Sequence, residues 1–394
     1  MSVLRRDPTT NRWVVFGDPP PAARVPGDRC PFCEGNESLT PHEVVAWGRP
    51  DRRADGPGWQ VRVVPNSRPL LRIEGPLERH ADLIYDTTSG TGAHEVVIET
   101  PEHHRSLTGL PKAQVALVLK AWAERIRDLK KDPRFRSIFV FKNQGARAGA
   151  WMPDHAHSQV MGLPVTPKAL KEILDVARAH YLDKERCVFC DILREELEFG
   201  ERLVQVTEHF VALAPYASRY PYEFWVLPRE HSADYETTEQ AVLEDLAAVL
   251  LATLTRLEDI LPEPAYNLFL YSSPNRDSRK GYWVTLAQDF HWHIAVMPRL
   301  VQTAGFEVGS GLYVNPVLPE HAARMLRPGA ARPYDEDGAV PTPEPCRAQA
   351  RPRSPRSSSS SPSRCPTSCR TVVRTSRASS SRFVQKRSRL RRKR

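Results

Sequence analysis

Two pairs of histidines carry most of the chemistry available to this sequence of 394 residues. The first pair stands in the segment HAHSQ at residues 155–159, and the second stands in HWHIA at residues 291–295. A neutral imidazole is a good nucleophile near pH 7 and reacts reversibly at phosphorus. We therefore predict nucleophilic catalysis at phosphorus, with His157 as the nucleophile and Gln159 as a hydrogen-bond donor to a phosphoryl oxygen.

The residues around His157 predict how such a site is built. Because residues two apart on a strand share a face, the first histidine pair and Gln159 are expected to line one face of a single strand. Upstream, Asn143, Gly145 and Gly149 are typical of a loop whose backbone approaches a phosphate closely. Glutamine cannot deliver a proton as a histidinium can, which favours a leaving group that is already a stable anion, such as a sugar phosphate.

Two C-x2-C pairs precede the histidine pairs, and the order of motifs occurs twice. Each half has a C-x2-C pair, a single histidine after a predicted strand, and then a histidine pair. Zn²⁺ prefers four ligands drawn from Cys thiolate and His nitrogen, so the repeat predicts two zinc ions per chain. The predicted ligands are Cys30, Cys33, His103 and His155 in the first half, and Cys187, Cys190, His231 and His291 in the second.

The sequence alone does not decide which single histidine completes the first site. His104 directly follows His103, and His94 lies nearby, so either is an alternative ligand. Only the parallel with His231 in the second half favours His103. A closed site of four protein ligands is normally structural, so both sites are expected to stabilise the fold.

The repeat also predicts a mixed α+β fold made by duplication. Each half is expected to contain a strand, a long helix, a strand and then the strand of the histidine pair. The second half has Ala295 where the first has Gln159, and it lacks the glycine loop, so it is expected to be catalytically silent. The predicted domains are a catalytic one at 1–180, a second at 181–332, and a disordered basic tail at 333–394.

The charge of the chain is concentrated in that tail. The net charge is +9, but residues 341–394 hold sixteen Lys or Arg and one acid, which leaves a net −6 for residues 1–340. A zinc-containing nucleic-acid-binding protein is an alternative of another class, but the acidic body argues against it. Nucleic acid is therefore expected to bind non-specifically through the tail, if at all.

Several observations predict the compartment. No stretch approaches 18 uncharged apolar residues, so no membrane span is expected. The first residues lack the apolar core of a signal peptide. The odd number of cysteines, seven, argues against a disulfide framework, and we expect a cytoplasmic protein.

These motifs resemble those of the galactose-1-phosphate uridylyltransferase family of the histidine-triad superfamily. The resemblance covers about residues 1–330. The second C-x2-C pair is similar to the branch that contains plant ADP-glucose phosphorylase and related bacterial transferases. The matching segments are LRRDPTTNRW at 4–13, CPFCEGNE at 30–37, VRVVPN at 61–66, TPEH at 100–103, HAHSQ at 155–159, FHWH at 290–293 and GFEVGSGLY at 305–313.

The resemblance implies duplicated histidine-triad-like domains with antiparallel sheets, assembled as a homodimer with shared sites. It implies that His157 attacks the α-phosphate of a nucleoside-diphosphate sugar, that sugar 1-phosphate leaves, and that a second phosphate accepts the nucleotide. UDP-glucose and galactose 1-phosphate are the expected substrates, within galactose metabolism. An ADP-glucose phosphorylase type of adenylyltransferase, with phosphate as acceptor, is the alternative. Asn66 and Asn143 are implied to lie near the nucleotide, and Gln159 to contact the phosphoryl group.

Two residues depart from the family pattern. Trp151 stands where the family usually has a serine that contacts phosphate, and Asp154 stands beside the first histidine. A carboxylate near phosphates is unfavourable unless it points away, or it can orient a histidine instead. A hydrolase of nucleotide phosphoramidates or dinucleoside polyphosphates is less favoured, because Gln159 occupies the place of a third histidine.

Overall fold

Antiparallel strands form the framework of the protein. The computed structural model describes residues 2–17, 29–50, 53–103, 106–152, 154–279, 281 and 283–330. His104 and the predicted tail at 333–394 lie outside these residues. The strands are β1 Val3–Arg6, β2 Trp13–Phe16, β3 Val45–Trp47, β4 Val61–Pro65, β5 Arg79–Asp82, β6 Tyr85–Ser89, β7 Ala93–Ile98, β8 Ser137–Gln144, β9 His157–Leu163, β10 Leu203–Val206, β11 Phe210–Leu213, β12 Phe224–Pro228, β13 Tyr266–Tyr271 and β14 His293–Pro298.

Helices are interspersed with these strands, which confirms the predicted α+β class. The helices are α1 Lys112–Leu129, α2 Lys168–Lys184, α3 Val188–Phe199, α4 Gln240–Ile260, α5 Leu286–Asp289, α6 Gly305–Ser310 and α7 Pro319–Leu326. The long helix predicted in each half is present, as α1 and α4. Within the residues described above, no helix combines the length and apolar character needed to cross a bilayer.

The largest sheet contains ten antiparallel strands and has an internal symmetry. Its strand order is β3-β4-β7-β9-β8-β13-β14-β12-β11-β10. Going outwards from the junction of β8 and β13, each half has its strands in the same order. At the junction Phe141 pairs with Phe269, and Asn143 pairs with Asn267. The two halves that the repeated motifs predicted therefore form one continuous sheet.

Helices α1 and α4 pack against each other over this sheet. Val115, Leu119, Trp122 and Ile126 of α1 recur at intervals of three or four residues and are fully buried, as in an amphipathic helix. The indole Nε1 of Trp122 donates a hydrogen bond to Ser158 Oγ at 2.7 Å. Ser158 therefore faces the helix layer, and the residues next to it on β9 face the other side of the sheet.

The first histidine of each pair lies outside the strand that carries the second. β9 begins at His157 and β14 begins at His293, so His155 and His291 precede the strands. The prediction that His155 lies on the same strand as His157 and Gln159 is therefore wrong, because the chain bends at His155 before the strand begins. The carbonyl of His155 accepts a hydrogen bond from His157 Nδ1 at 2.9 Å.

A second sheet and a linking helix were not predicted from the sequence. The four-stranded sheet has the order β2-β1-β6-β5, and its strands are short and largely exposed. Helix α2 runs across residues 180 and 181, where the first predicted domain boundary lies. The described residues belong to a compact unit spanning 1–343. The limits 1–180, 181–332 and 333–394 stay predictions.

Candidate active site and metal centres

The four predicted ligands of the first half converge on one point. The Sγ of Cys33 lies 3.4 Å from Nδ1 of His103 and 3.7 Å from Nδ1 of His155. The Sγ of Cys30 lies 3.5 Å from His155 Nδ1, and the two Nδ1 atoms are 3.4 Å apart. All four donor atoms lie within 4.8 Å of one another. The structure therefore places His103 with the other three predicted ligands.

The four predicted ligands of the second half form a matching cluster. The Sγ of Cys190 lies 3.3 Å from Nδ1 of His231 and 3.6 Å from Nδ1 of His291, and Cys187 completes the set within 4.8 Å. The hydrogen bond between the two thiols raises the pKa of Cys187 and lowers the pKa of Cys190.

The donor atoms of both clusters fit a tetrahedral metal ion. Nε2 donates to a backbone carbonyl in three of the imidazoles, which leaves Nδ1 with a free lone pair aimed at the cluster. A tetrahedral zinc site with bonds of about 2.3 Å to sulfur and 2.0–2.1 Å to nitrogen has edges of about 3.3–3.8 Å. The quoted separations fall in that range, so both sites are compatible with metal binding. The carbonyls are Thr100 for His155 (2.9 Å), Pro228 for His291 (3.0 Å) and Ala287 for His231 (2.8 Å).

His157 lies beside the first cluster as a neutral imidazole. Because its Nδ1 donates to the carbonyl of His155, its Nε2 carries the lone pair. Burial, followed by the positive charge of Lys142, lowers its pKa to about 3. A buried, neutral and oriented imidazole is what nucleophilic attack on phosphorus requires.

Lys142 and Glu99 form a buried ion pair under this histidine. Lys142 Nζ donates to Glu99 Oε2 at 2.7 Å and to the backbone carbonyl of His157 at 3.0 Å. Both side chains are inaccessible to solvent. Sequence reasoning missed this pair, because Glu99 follows β7 whereas Lys142 lies on β8, and only the tertiary fold brings them together.

Gln159 is held by His94, a second residue whose role the sequence did not indicate. The backbone N–H of Leu70 donates to His94 Nδ1 at 3.1 Å, so the proton of the neutral ring is on Nε2. That Nε2 donates to Gln159 Oε1 at 2.7 Å. Burial lowers the pKa of His94 and keeps the ring neutral. The carboxamide NH2 of Gln159 is therefore directed away from His94, as a donor available to a ligand.

Asn66 also contacts His94, next to Gln159. Its Nδ2 lies 3.2 Å from His94 Nε2, and its Oδ1 accepts the backbone N–H of Arg68 at 2.9 Å. His94 thus contacts two of the predicted site residues and is no part of the metal cluster. The alternative in which His94 is a metal ligand is not favoured by this geometry.

Asn143 and the glycine loop lie on the other side of His157. Phe141 pairs with Gln159 across β8 and β9, and continuing this register places Asn143 opposite His157. Asn143 Nδ2 donates to the carbonyl of Gly149 at 3.3 Å. Gly149 has a φ of +82°, in the left-handed region that favours glycine. The predicted residues Asn66, Asn143, His157 and Gln159 therefore surround one place in the structure.

The second half repeats the backbone of this site with different side chains. His293 Nδ1 also bonds the carbonyl of the first histidine of its pair, at 3.2 Å, and burial lowers its pKa to about 4. The rings of Trp225 and Tyr271 lie 5.2 and 5.0 Å from its ring. By register these aromatics replace Val96 and Asn143. Aromatic rings therefore stand where the first half has a small apolar side chain and one amide.

Trp151 and Asp154, the two residues that depart from the family pattern, differ in the contacts that they make. Trp151 packs edge-on against Phe32, with ring centroids 6.0 Å apart, in an apolar cluster behind the first metal site. Phe32 also lies 5.4 Å from the His157 ring. Among the described residues, Asp154 makes no hydrogen bond or ion pair, so it does not orient either neighbouring histidine.

Comparison with known proteins identifies the family of this chain. The model of the galactose-1-phosphate uridyl transferase N-terminal domain matches residues 72–167, and the model of the C-terminal domain matches residues 174–335. ADP-glucose phosphorylase of Arabidopsis thaliana is 33% identical over 340 residues, which cover 82% of this chain and 92% of that protein. The chain belongs to the galactose-1-phosphate uridyl transferase family.

Further relatives of this family place the match over most of the chain. Galactose-1-phosphate uridylyltransferase of Thermotoga maritima is 28% identical over 341 residues, which cover 83% of this chain and 98% of that protein. A crystal structure of the Arabidopsis thaliana ADP-glucose phosphorylase with bound ADP-glucose matches with a TM-score of 0.66 and 32% identity, covering 82% of this chain and 98% of that one. Membership confirms the predicted enzyme class, a nucleotidyltransferase, and the nucleic-acid-binding alternative is not favoured.

Replacing His94 tests whether it orients Gln159. The variant His94→Phe is expected to slow nucleotidyl transfer by roughly 10- to 100-fold, because an aligned donor to developing negative charge contributes that much or more. His94→Gln keeps an N–H donor near the same place and is expected to recover most of the rate. Metal content measured on both variants is the control, since His94 is not a ligand. Equal rates for His94→Phe and the wild type would contradict this role.

The lowered pKa of His157 predicts an unusual pH dependence. With its pKa at about 3, the folded protein keeps this imidazole neutral at every pH between that value and 8. The chemical step, measured in single turnovers, is therefore expected to keep its rate from pH 8 to pH 5.5. A histidine with an unshifted pKa of about 6.5 would lose about tenfold over that range. Metal analysis at each pH separates this effect from loss of the ion.

Proposed function

We propose that the chain exchanges a nucleotide between a nucleoside-diphosphate sugar and a hexose 1-phosphate, through a covalent nucleotidyl-His157. We take UDP-glucose and galactose 1-phosphate as the substrates, within galactose metabolism. The observation that carries the proposal is the hydrogen bond from His157 Nδ1 to the His155 carbonyl, which leaves a neutral Nε2 between two amide side chains. The name and coverage of the Thermotoga maritima relative support the choice of substrates.

In the first step, Nε2 of His157 attacks the α-phosphorus of the nucleotide sugar. A P–N bond forms, the P–O bond to the sugar phosphate breaks, and sugar 1-phosphate leaves with the electron pair. The leaving group is already a stable anion, so no proton has to be delivered to it. The NH2 of Gln159 donates to a phosphoryl oxygen as negative charge builds there, which stabilises the transition state.

In the second step, an oxygen of the acceptor phosphate attacks the same phosphorus. The P–N bond breaks and the electron pair returns to Nε2, which regenerates neutral His157. Asn66 and Asn143 would bind the nucleotide through their amides, and the backbone of Gly145 and Gly149 would approach its phosphates. Because both leaving groups are anions or neutral imidazole, glutamine suffices where a hydrolase would need an acid.

We further propose that each Cys2His2 cluster holds one Zn²⁺, which supplies a rigid cross-link between distant segments. The ligands are Cys30, Cys33, His103 and His155, and Cys187, Cys190, His231 and His291. In the first half the ring of His155 is fixed by the cluster while its carbonyl binds His157. The metal ligands would therefore position the nucleophile without touching the substrate.

An ADP-glucose phosphorylase activity, with phosphate as acceptor, is the second candidate. It is favoured by the 33% identity to the Arabidopsis thaliana ADP-glucose phosphorylase, against 28% to the Thermotoga maritima enzyme. The same nucleophile and the same Gln159 would serve both reactions. The two candidates differ in the base and in the acceptor.

We also propose a cytoplasmic homodimer. Thiolate ligands need a reducing compartment to stay free of disulfides, as the cytoplasm provides. Large apolar side chains exposed on the surface support an interface between two copies, because isolated proteins expose few such clusters. Examples are Leu83 and Ile84 between β5 and β6, and Val308 and Leu312 near α6.

Covalent labelling tests the proposed function. Incubation with UDP-glucose or ADP-glucose labelled at the α-phosphate is expected to leave acid-labile nucleotide on the protein, and the more rapid donor identifies the base. His157→Ala is expected to abolish labelling. His293→Ala is the matched control, since it removes the equivalent histidine of the silent half and should label normally. No labelling by either donor, or full labelling of His157→Ala, would refute the mechanism.

Metal analysis tests the two sites separately. Wild-type protein is expected to contain about two zinc ions, and Cys30→Ser or Cys187→Ser about one each, because a closed site loses most of its affinity with one thiolate. Cys30→Ser should also slow labelling strongly, whereas Cys187→Ser should chiefly lower the unfolding temperature. Two ions in both variants would contradict the ligand assignment.

A further inference from the structure

The second half reaches the active site through one buried asparagine. Asn267 lies on β13, directly opposite Asn143 on β8. Its Nδ2 donates to Asn143 Oδ1 at 2.8 Å and to the backbone carbonyl of Ala148 at 2.9 Å. Its Oδ1 accepts a hydrogen bond from Nε of Arg299. One side chain of the silent half therefore contacts both the asparagine and the loop of the catalytic half.

This chain of hydrogen bonds has a fixed direction. Arginine only donates, so the atom of Asn267 that faces Arg299 has to be the oxygen. The NH2 of Asn267 then faces Asn143, which has to present its own oxygen in turn. The NH2 of Asn143 is left to face the carbonyl of Gly149 and the site beside His157. Arg299 thus determines which end of the Asn143 amide the site receives.

Other contacts anchor both ends of the connection. The guanidinium of Arg299 lies over the ring of Tyr220, 4.6 Å from its centroid, and the Arg299 backbone N–H bonds the carbonyl of Ala265 at 2.7 Å. Ala265 also abuts the loop: a Cβ added to Gly145 would lie 3.1 Å from the Cβ of Ala265. The loop therefore rests directly on the start of β13.

We propose that Asn267 and Arg299 are positioning residues, through which the silent half sets the amide orientation of Asn143 and the path of loop 145–149. The inference rests on the proposed function, in which Asn143 and this loop bind the nucleotide. Without Arg299, the amide of Asn267 is free to reverse, and Asn143 can follow it. A reversed Asn143 would turn its carbonyl oxygen towards an anionic ligand, which weakens binding and transfer.

Single-turnover labelling of Arg299 variants tests the proposal. Arg299→Met keeps much of the side-chain length but has no hydrogen-bond donor. It is expected to lower the second-order rate constant of labelling by the nucleotide sugar roughly tenfold. Arg299→Lys retains a donor and should recover a substantial part of that loss. In an Asn267→Ala background, Arg299→Met should cause no further loss, because Arg299 acts through Asn267.

A second variant separates the proposed role from a folding defect in Arg299→Met. Asn267→Asp preserves the shape and the partner of Arg299, but it cannot donate to Asn143 and is expected to be at least as slow. Arg256→Met is the matched control: this arginine lies on α4, donates to the carbonyls of Met325 and Ala330 and pairs with Asp259. It should lower the unfolding temperature and leave the labelling rate unchanged.

The outcomes separate this inference from the function on which it rests. If the wild type labels and both Arg299→Met and Asn267→Asp label at its rate, the positioning role is wrong and the proposed function stands. The same conclusion follows if Arg299→Met and Asn267→Ala lower the rate independently of each other. If the wild type does not label with any nucleotide sugar, the proposed function fails and the positioning role fails with it.

Discussion

The hydrogen bond between the Nδ1 of His157 and the carbonyl of His155 is the constraint on which the rest of the site depends. It sets the tautomer, since a proton committed to Nδ1 leaves the lone pair on Nε2. The chain bends at His155, just before β9. The ring of His155 lies against Cys30 and Cys33, while its carbonyl holds the ring of His157. His155 therefore joins the Cys2His2 cluster to the proposed nucleophile.

The second half has the same hydrogen bond but a different lining around it. His293 has the same hydrogen bond, the same burial and a similarly lowered pKa, and it follows the same arrangement of cysteines and histidines. What differs is the lining: rings of Trp225 and Tyr271 stand where the first half has a small side chain and an amide. Aromatic rings thus fill the space beside His293, and the second half contacts the predicted site residue Asn143 through Asn267 at the junction of β8 and β13.

The sequence allowed the two Cys2His2 clusters and the long helices to be predicted, because each depends on a local pattern that occurs in both halves. The role of His157 as nucleophile stays a proposal. C-x2-C pairs and histidine pairs keep their spacing, and the apolar period of α1 survives in its buried face. The partners of those residues could not be predicted. His94 meets Gln159, and Asn267 meets Asn143, through strand register between segments more than 60 residues apart. Nothing in a local pattern distinguishes such residues from other polar residues on strands, and the short exposed strands of the second sheet lack an alternation to detect.

The buried pair of Lys142 and Glu99 also helps to position His157. Burying two charges costs several kcal/mol per ion in desolvation, so a buried pair is weak support for stability, and an apolar pair of similar volume is often as stable. Among the residues that the structure describes, Glu99 Oε1 has no hydrogen-bond partner, which adds to that cost. The compensation lies at His157, whose backbone carbonyl accepts a hydrogen bond from Lys142 Nζ. The pKa of the His157 ring is lowered by burial first and by the nearby cation second. The bond holds β9 at its first residue, and the charge disfavours a proton on the nitrogen that we propose as the nucleophile. An apolar pair would fill the volume but would do neither.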